Sequence, residues 1–235
     1  MTAENQAEQK ENIIEKRAAF YIDGFNLYHA IDEMGKDYLK WVSYWELCKN
    51  LLTDPSAGVV KVVWCTAKSK KSPDKGERHD RMVTAQRLAG VTVRLGHFID
   101  ENKDCWTCKA KWVHPSEKEG DINVAINLIR DAFRNEYDHA FLVTADTDQA
   151  ATVRMFIEEF ENKKITIVAP PVRKRSEHLH NIAKDTVHLT EDMLEKAVMP
   201  SIILSPSPRT IPNVRRPEKY APPPEWVHPQ NRPQK

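Results

Sequence analysis

The chain of 235 residues is long enough for one well-buried domain with an extension, or for two small domains. Its 35 basic and 34 acidic side chains leave a formal net charge of +1, which excludes a whole-molecule field that gathers polyanions; any attraction for phosphate must be local. No stretch approaches the roughly 20 apolar residues that span a bilayer, and residues 1–17 lack the apolar core of an export signal. No membrane association is expected, and the expected compartment is the cytoplasm, where a close cysteine pair binds metal more readily than it forms a disulfide.

Residues 17–22 (Arg-Ala-Ala-Phe-Tyr-Ile) read as a central strand that breaks at Asp23-Gly24 into a helix spaced by Phe25, Leu27, Tyr28 and Ile31. Ser43 caps a second helix over 44–52, whose Trp45, Leu47, Cys48, Leu51 and Leu52 form an apolar face. The β-branched run 59–65 is a second strand, a helix over 75–89 closes at Gly90, and 91–95 is a third strand. Residues 97–119 carry Cys105-Trp106-Thr107-Cys108 and little apolar periodicity, and read as an inserted loop or knuckle. From Asp121 a helix resumes with Ile122, Ala125, Ile126, Ile129 and Phe133 on one face. Strand 139–144, a helix through Val153, Phe156, Ile157 and Phe160, strand 164–169, a short helix over 176–183, an edge strand over 186–189 and a helix capped by Thr190 follow. This alternation predicts an α/β fold with right-handed crossovers and a mainly parallel central sheet covered on both faces.

Ten of the fifteen prolines lie from Pro200 onward, where no helix or ladder can be sustained. The expected organisation is a polar extension over 1–16, a domain over 17–199, and a disordered, basic, Pro-rich tail over 200–235. That tail can dock RNA or a protein partner, with Trp226 as the one large anchor in its final third.

Acidic residues mark the chemistry. Asp23 ends the first strand, Asp146 and Asp148 follow the strand at 139–144, and Asp121 opens the helix leading into it. In open α/β sheets, sites form beyond the carboxyl ends of strands where strand order reverses. Carboxylates gathered there repel one another unless a cation sits among them. Oxygen ligands of this kind suit Mg²⁺ or Mn²⁺, which would activate a water against a phosphodiester. Singly, each aspartate is equally at home as a helix N-cap; four at consistent topological positions favour a metal site. Basic candidates for RNA contact are Lys68, Lys70 and Lys71 after the second strand and Arg173, Lys174 and Arg175 after the strand at 164–169. Arg78, His79 and Arg81 lie on the intervening helix, where a solvated face is the ordinary reading.

Tyr21-Ile22-Asp23-Gly24-Phe25-Asn26-Leu27-Tyr28, Lys118-Glu119-Gly120-Asp121 and Thr144-Ala145-Asp146-Thr147-Asp148 together resemble the three signatures of NYN-domain proteins, within the PIN-like nuclease group. The resemblance covers about 17–190 and implies a PIN-like three-layer α/β sandwich that cleaves RNA with a divalent metal. It implies Asp23, Asp121, Asp146 and Asp148 as the acidic set, with Asn26 and Thr144 as accompanying polar positions. Ala145 stands where glycine is usual, and Gln149 where a hydrophobic residue is typical. The alternative is a catalytically weak or inactive module of the same fold that binds RNA or protein.

Cys105 and Cys108 have the spacing of a zinc half-site, and zinc normally takes four ligands. His97 and His114 are the nearest candidates to complete a structural site, and bacterial relatives of the resembled family often carry such a paired-cysteine insertion. Trp106 and Trp112 flank the pair and either stack on bases or cover the metal. Cys48 and Cys65 fall on core faces. The sequence leaves a homo-oligomer open.

Overall fold

A computed structural model describes residues 15–68 and 72–232. Its centre is a seven-stranded sheet in the order β4-β3-β2-β1-β5-β6-β7. These strands are β1 (Lys16–Asp23), β2 (Ala57–Ala67), β3 (Thr92–Asp104), β4 (Lys111–Lys118), β5 (His139–Val143), β6 (Lys164–Ala169) and β7 (Thr186–His188). All neighbours are parallel except β3 and β4. The chain builds outward from β1 through β2 and β3, then returns to lay β5, β6 and β7 on its other side. The strand order therefore reverses between β1 and β5.

Side-chain alternation along β1 divides the core in two. Ala18, Phe20 and Ile22 face helices α1 (Gly24–Glu33), α2 (Tyr44–Leu51), α3 (Pro73–Leu88) and α7 (Glu191–Lys196). Ala19 and Tyr21 face α4 (Gly120–Phe133), α5 (Ala150–Glu159) and α6 (Glu177–Ala183). Phe20 and Phe141, paired across β1 and β5, stack with ring centroids 4.4 Å apart. Helices thus cover both faces, the three-layer arrangement that the sequence predicts. Among the described residues no helix is long and apolar enough to cross a membrane.

Three segments differ from the sequence expectation. Residues 97–119 are no irregular knuckle: β3 runs on to Asp104 and returns as β4, with His97 opposite Lys118 and Asp104 opposite Lys111. Outer-strand residues in this hairpin are half-buried or exposed, so it lacks the apolar run of a buried strand. Helix α4 buries Val124, Leu128 and Ala132, whereas Ile122, Ile126 and Phe133 of the predicted apolar face are exposed. Both stripes are apolar, and period alone does not say which one meets the sheet. Residues 200–232, expected to be disordered, run across the α2/α7 side instead. They form the short pair β8 (Ile202–Ile203) and β9 (Val214–Arg215), and bury Val214 and Tyr220. Trp226 packs on Tyr38 at 5.4 Å and donates Nε1 to Glu195 at 3.1 Å. Prolines forbid a helix there but do not forbid an extended strap held by aromatic anchors.

Between α4 and the sheet lies a fully buried carboxylate, Asp131. It accepts hydrogen bonds from Tyr21 Oη at 3.0 Å and Arg130 at 2.8 Å, and pairs with Lys61 at 2.7 Å. Burial works to raise its pKa, but these donors outweigh burial and hold it below the ordinary value. Asp131→Ala leaves the Tyr21 hydroxyl without its acceptor and Lys61 with Glu136 alone; it is expected to lower unfolding free energy by about 3 kcal/mol, read by denaturant titration, with an unchanged midpoint ruling out the role.

Candidate metal centre

Asp23 closes β1 and caps α1, and its side chain is buried. Its Oδ1 accepts the Asn26 N–H at 3.0 Å, and its Oδ2 accepts the Thr144 hydroxyl at 3.0 Å. The Thr144 oxygen in turn accepts the Asp146 N–H at 3.0 Å, while Asn26 Oδ1 accepts the Ala145 N–H at 3.0 Å. Two side chains from one strand end therefore fix the loop that leaves the neighbouring strand. Asp146 caps the 3-10 turn Thr147–Gln149, accepting the Asp148 N–H at 2.9 Å. Asp121 stands in the first turn of α4, after Glu119 in the left-handed conformation (φ 76°).

Ligand oxygens of Asp23, Asp121 and Asp146 all lie within 4.8 Å of one another. Asp148 is exposed and stands outside that trio. The cap reading and the ligand reading are thus compatible for Asp23 and Asp146, each of which fixes a backbone N–H and still presents a carboxylate oxygen to the same point as Asp121. Burial pushes Asp23 up to about 6, against the Asn26 N–H and with the help of the Asp121 charge. Asp121 is raised by burial, then by Asp146 and Asp148. Three carboxylates so placed destabilise one another when all are ionised, and the repulsion disappears if a hard divalent cation shares them. The donor set, all carboxylate oxygen with no thiol or imidazole among it, fits Mg²⁺ or Mn²⁺.

Two contributors carry no clear sequence signature. Gln149 is buried; it donates Nε2 to the Asp121 carbonyl at 3.0 Å and accepts the Thr152 hydroxyl at 3.0 Å. It ties the start of α4 to the start of α5, and its only signal is the polar residue at a position where the resembled family has a hydrophobic one. Glu117, at the end of β4, is raised mainly by burial and also by Asp121, and its Oε1 is buried without a partner. Finding it requires knowing that 111–118 is a strand folded back onto the sheet.

The remaining candidates scatter. Lys68 pairs with Asp80, Arg173 with Glu33, and Arg175 with Glu177. Lys174 is exposed and makes no ion pair among the described residues; Lys70 and Lys71 lie outside them. The two basic clusters do follow the carboxyl ends of β2 and β6, on the sheet edge that carries the acids. Arg78 lines a cavity beside α1 together with His79, whose Nε2 is 3.1 Å from the Thr66 hydroxyl and whose burial lowers its pKa. Cys105 and Cys108 sit at the hairpin tip, where backbone N–H groups of Cys108 and Thr107 hold the Cys105 thiol below its usual value. His97, at the hairpin base, faces Glu119 at 3.5 Å. At about 3.3 Å per residue, the eight-residue step from His97 to Cys105 is far beyond a shared coordination sphere. His114, opposite Glu101, joins no cluster with the cysteines either. Trp106 is 86% exposed at the tip, with the Lys109 ammonium 5.7 Å from its ring, and Trp112 is exposed along β4. Cys48 and Cys65 are buried thiols, as their core positions require.

A mostly parallel sheet covered on both faces, with three carboxylates converging where its strand order reverses, defines the architecture of PIN-like nucleases. The family profile of the NYN domain matches residues 17–193, most of the chain, and the chain belongs to the NYN domain family. A solved structure of a protein of unknown function from Vibrio parahaemolyticus is similar in fold, with a TM-score of 0.51 and 22% identity. The similarity covers 76% of this chain and 95% of that one. No curated protein matches the chain.

Because Asp23 is raised in the folded state, its contribution to stability is fully present below the unfolded carboxylate pKa and is lost as pH rises through about 6. Metal-free protein is therefore expected to gain about 1.4 kcal/mol from this group between pH 7.5 and pH 5. Asp23→Asn should flatten that slope, and Mn²⁺ should raise the melting temperature of wild type more at pH 7.5 than at pH 5. Equal slopes for the two proteins in chelator would contradict the assignment.

Proposed function

We propose that the protein is an endoribonuclease that hydrolyses RNA phosphodiester bonds in the cytoplasm, using Mg²⁺ or Mn²⁺ held by Asp23, Asp121 and Asp146. The observation that carries this reading is the convergence of those three carboxylates within 4.8 Å, one of them buried. A cation held there would polarise a phosphoryl oxygen, lower the pKa of a water and offset the charge that develops at phosphorus. Thr144 and Asn26 keep Asp23 and the Asp146 loop in register, so the acids meet without rearrangement. Asp148, exposed at the rim, would accept a proton from an incoming water, and Gln149 holds the Asp121 backbone against the same loop. Lys174, exposed near the sheet edge, would supply a salt-sensitive contact to phosphate. A structural zinc at Cys105 and Cys108 would be a separate site, and its other ligands would come from another molecule.

Incubating wild type and Asp146→Asn with mixed single-stranded and structured RNA in Mn²⁺ or Mg²⁺ tests the reading. Cleavage by wild type should stop in chelator and fall at least about hundredfold in the variant, since loss of a metal ligand removes several kcal/mol of transition-state stabilisation. Retention of RNA by both proteins with cleavage by neither would favour the module that binds without cutting.

A further inference from the structure

Next to the acids lies a cavity of about 370 Å³ that the catalytic reading does not use. Gly24, the residue after Asp23, forms part of its wall. Much of the rest is an aromatic box assembled from five separate parts of the chain. Phe25 and Tyr28 come from α1, Tyr44 from α2, Trp64 from β2, Phe98 from the hairpin, and Tyr220 from the C-terminal strap. Phe25 and Phe98 meet edge to face at 5.8 Å. Lys75 and Arg78, on the α3 side of the opening, make no ion pair among the described residues. Two ring nitrogens of residues in the wall, Trp64 Nε1 and His79 Nδ1, have no hydrogen-bond partner among the described residues, but both atoms are shut off from the cavity itself, Trp64 Nε1 by the backbone of Gly24.

Volume, lining and charge together match a ligand that is flat and aromatic and carries a negative charge beside it. A nucleobase with its phosphate has both properties. Splayed single-stranded bases are recognised through stacking on aromatic side chains. We propose that this cavity receives an unstacked base of single-stranded RNA adjoining the scissile phosphate, with Lys75 and Arg78 on the neighbouring backbone phosphate. The proposal deepens the ribonuclease reading and rests on it for the identity of the polymer. It assigns the enzyme a preference for unpaired RNA, because a base inside a duplex cannot leave its stack to enter the box without the cost of unpairing.

Binding of a fluorescently labelled single-stranded RNA, measured by anisotropy in chelator, separates the cavity from the chemistry. Phe98→Ala and Phe25→Ala are expected to weaken binding about tenfold each, leave double-stranded RNA binding unchanged, and keep the wild-type melting temperature within a few degrees. An RNA with one abasic position should bind wild type less tightly while no longer distinguishing wild type from Phe98→Ala. Wild-type affinity for single-stranded RNA in both folded variants overturns the proposal, even if cleavage by the acids is established. Loss of nucleoside 5′-monophosphate binding in Phe98→Ala, with RNA binding unchanged, assigns the cavity to free nucleotides and also overturns it. Conversely, weakened RNA binding in these variants supports the cavity even if no cleavage is found with any metal.

Discussion

The buried carboxylate of Asp23 is the constraint around which the site is built. A charge at that depth is costly unless its oxygens are occupied, and here one oxygen is tied to the first turn of α1 and the other to Thr144 on the adjoining strand. Those bonds hold together the two strand ends between which the sheet reverses. They do not neutralise the group, since burial and the neighbouring acids still raise its pKa. Position is therefore specified by hydrogen bonds, while among the described residues no cationic side chain joins the trio to balance the mutual repulsion of the acids. A site with this division holds its carboxylates in place by its own hydrogen bonds.

Close approach of α1 to β2 depends on the next residue. A Cβ at Gly24 would lie 2.3 Å from the Cys65 carbonyl oxygen and 2.4 Å from Trp64 Nε1, so the helix can begin directly beneath the strand only because no side chain stands there. The Asp-Gly step thus does two things at once. It turns the carboxylate to the strand end and brings the aromatic residues of α1 alongside Trp64. Lys40, largely buried, pairs with Asp32 and Asp37 and lies 5.5 Å from the Tyr28 ring, holding the far side of the same helix.

Strands β1, β2, β5 and β6 were legible as apolar runs because parallel strands covered on both faces need nothing else. The acids were legible because three of them follow such runs and the fourth opens a helix. Legibility failed where burial is one-sided or borrowed. The outer hairpin is solvated along most of its length, so its pairing left no apolar trace in 97–119. Helix α4 has two apolar stripes, and the one that faces the sheet is selected by the buried Asp131 and Asn127 beside it, polar residues that a hydrophobic count reads as surface. Gln149 is hard to read for the same reason: its importance lies in a hydrogen bond to the backbone carbonyl of Asp121, 28 residues earlier in the chain. The proline count of the last segment described what it cannot form and was silent about what Tyr220 and Trp226 can cover.

That last segment lies beyond the part of the chain matched by the NYN profile, yet it reaches the neighbourhood of the acids. Trp41 donates to the Pro200 carbonyl at 3.0 Å, Trp226 and Arg232 both engage Glu195, and Tyr38 reaches the same carboxylate at 2.8 Å. These contacts fix the path of the strap so that Tyr220 is buried over α1 rather than free in solvent. The hairpin arrives from the opposite edge of the sheet and contributes Phe98. Glu117 of the hairpin stands near Asp121, and Phe98 and Tyr220 converge on the space beside the trio. The residues matched by the NYN profile accordingly carry both the carboxylate trio and the hairpin, while the segment beyond them closes the wall next to the acids.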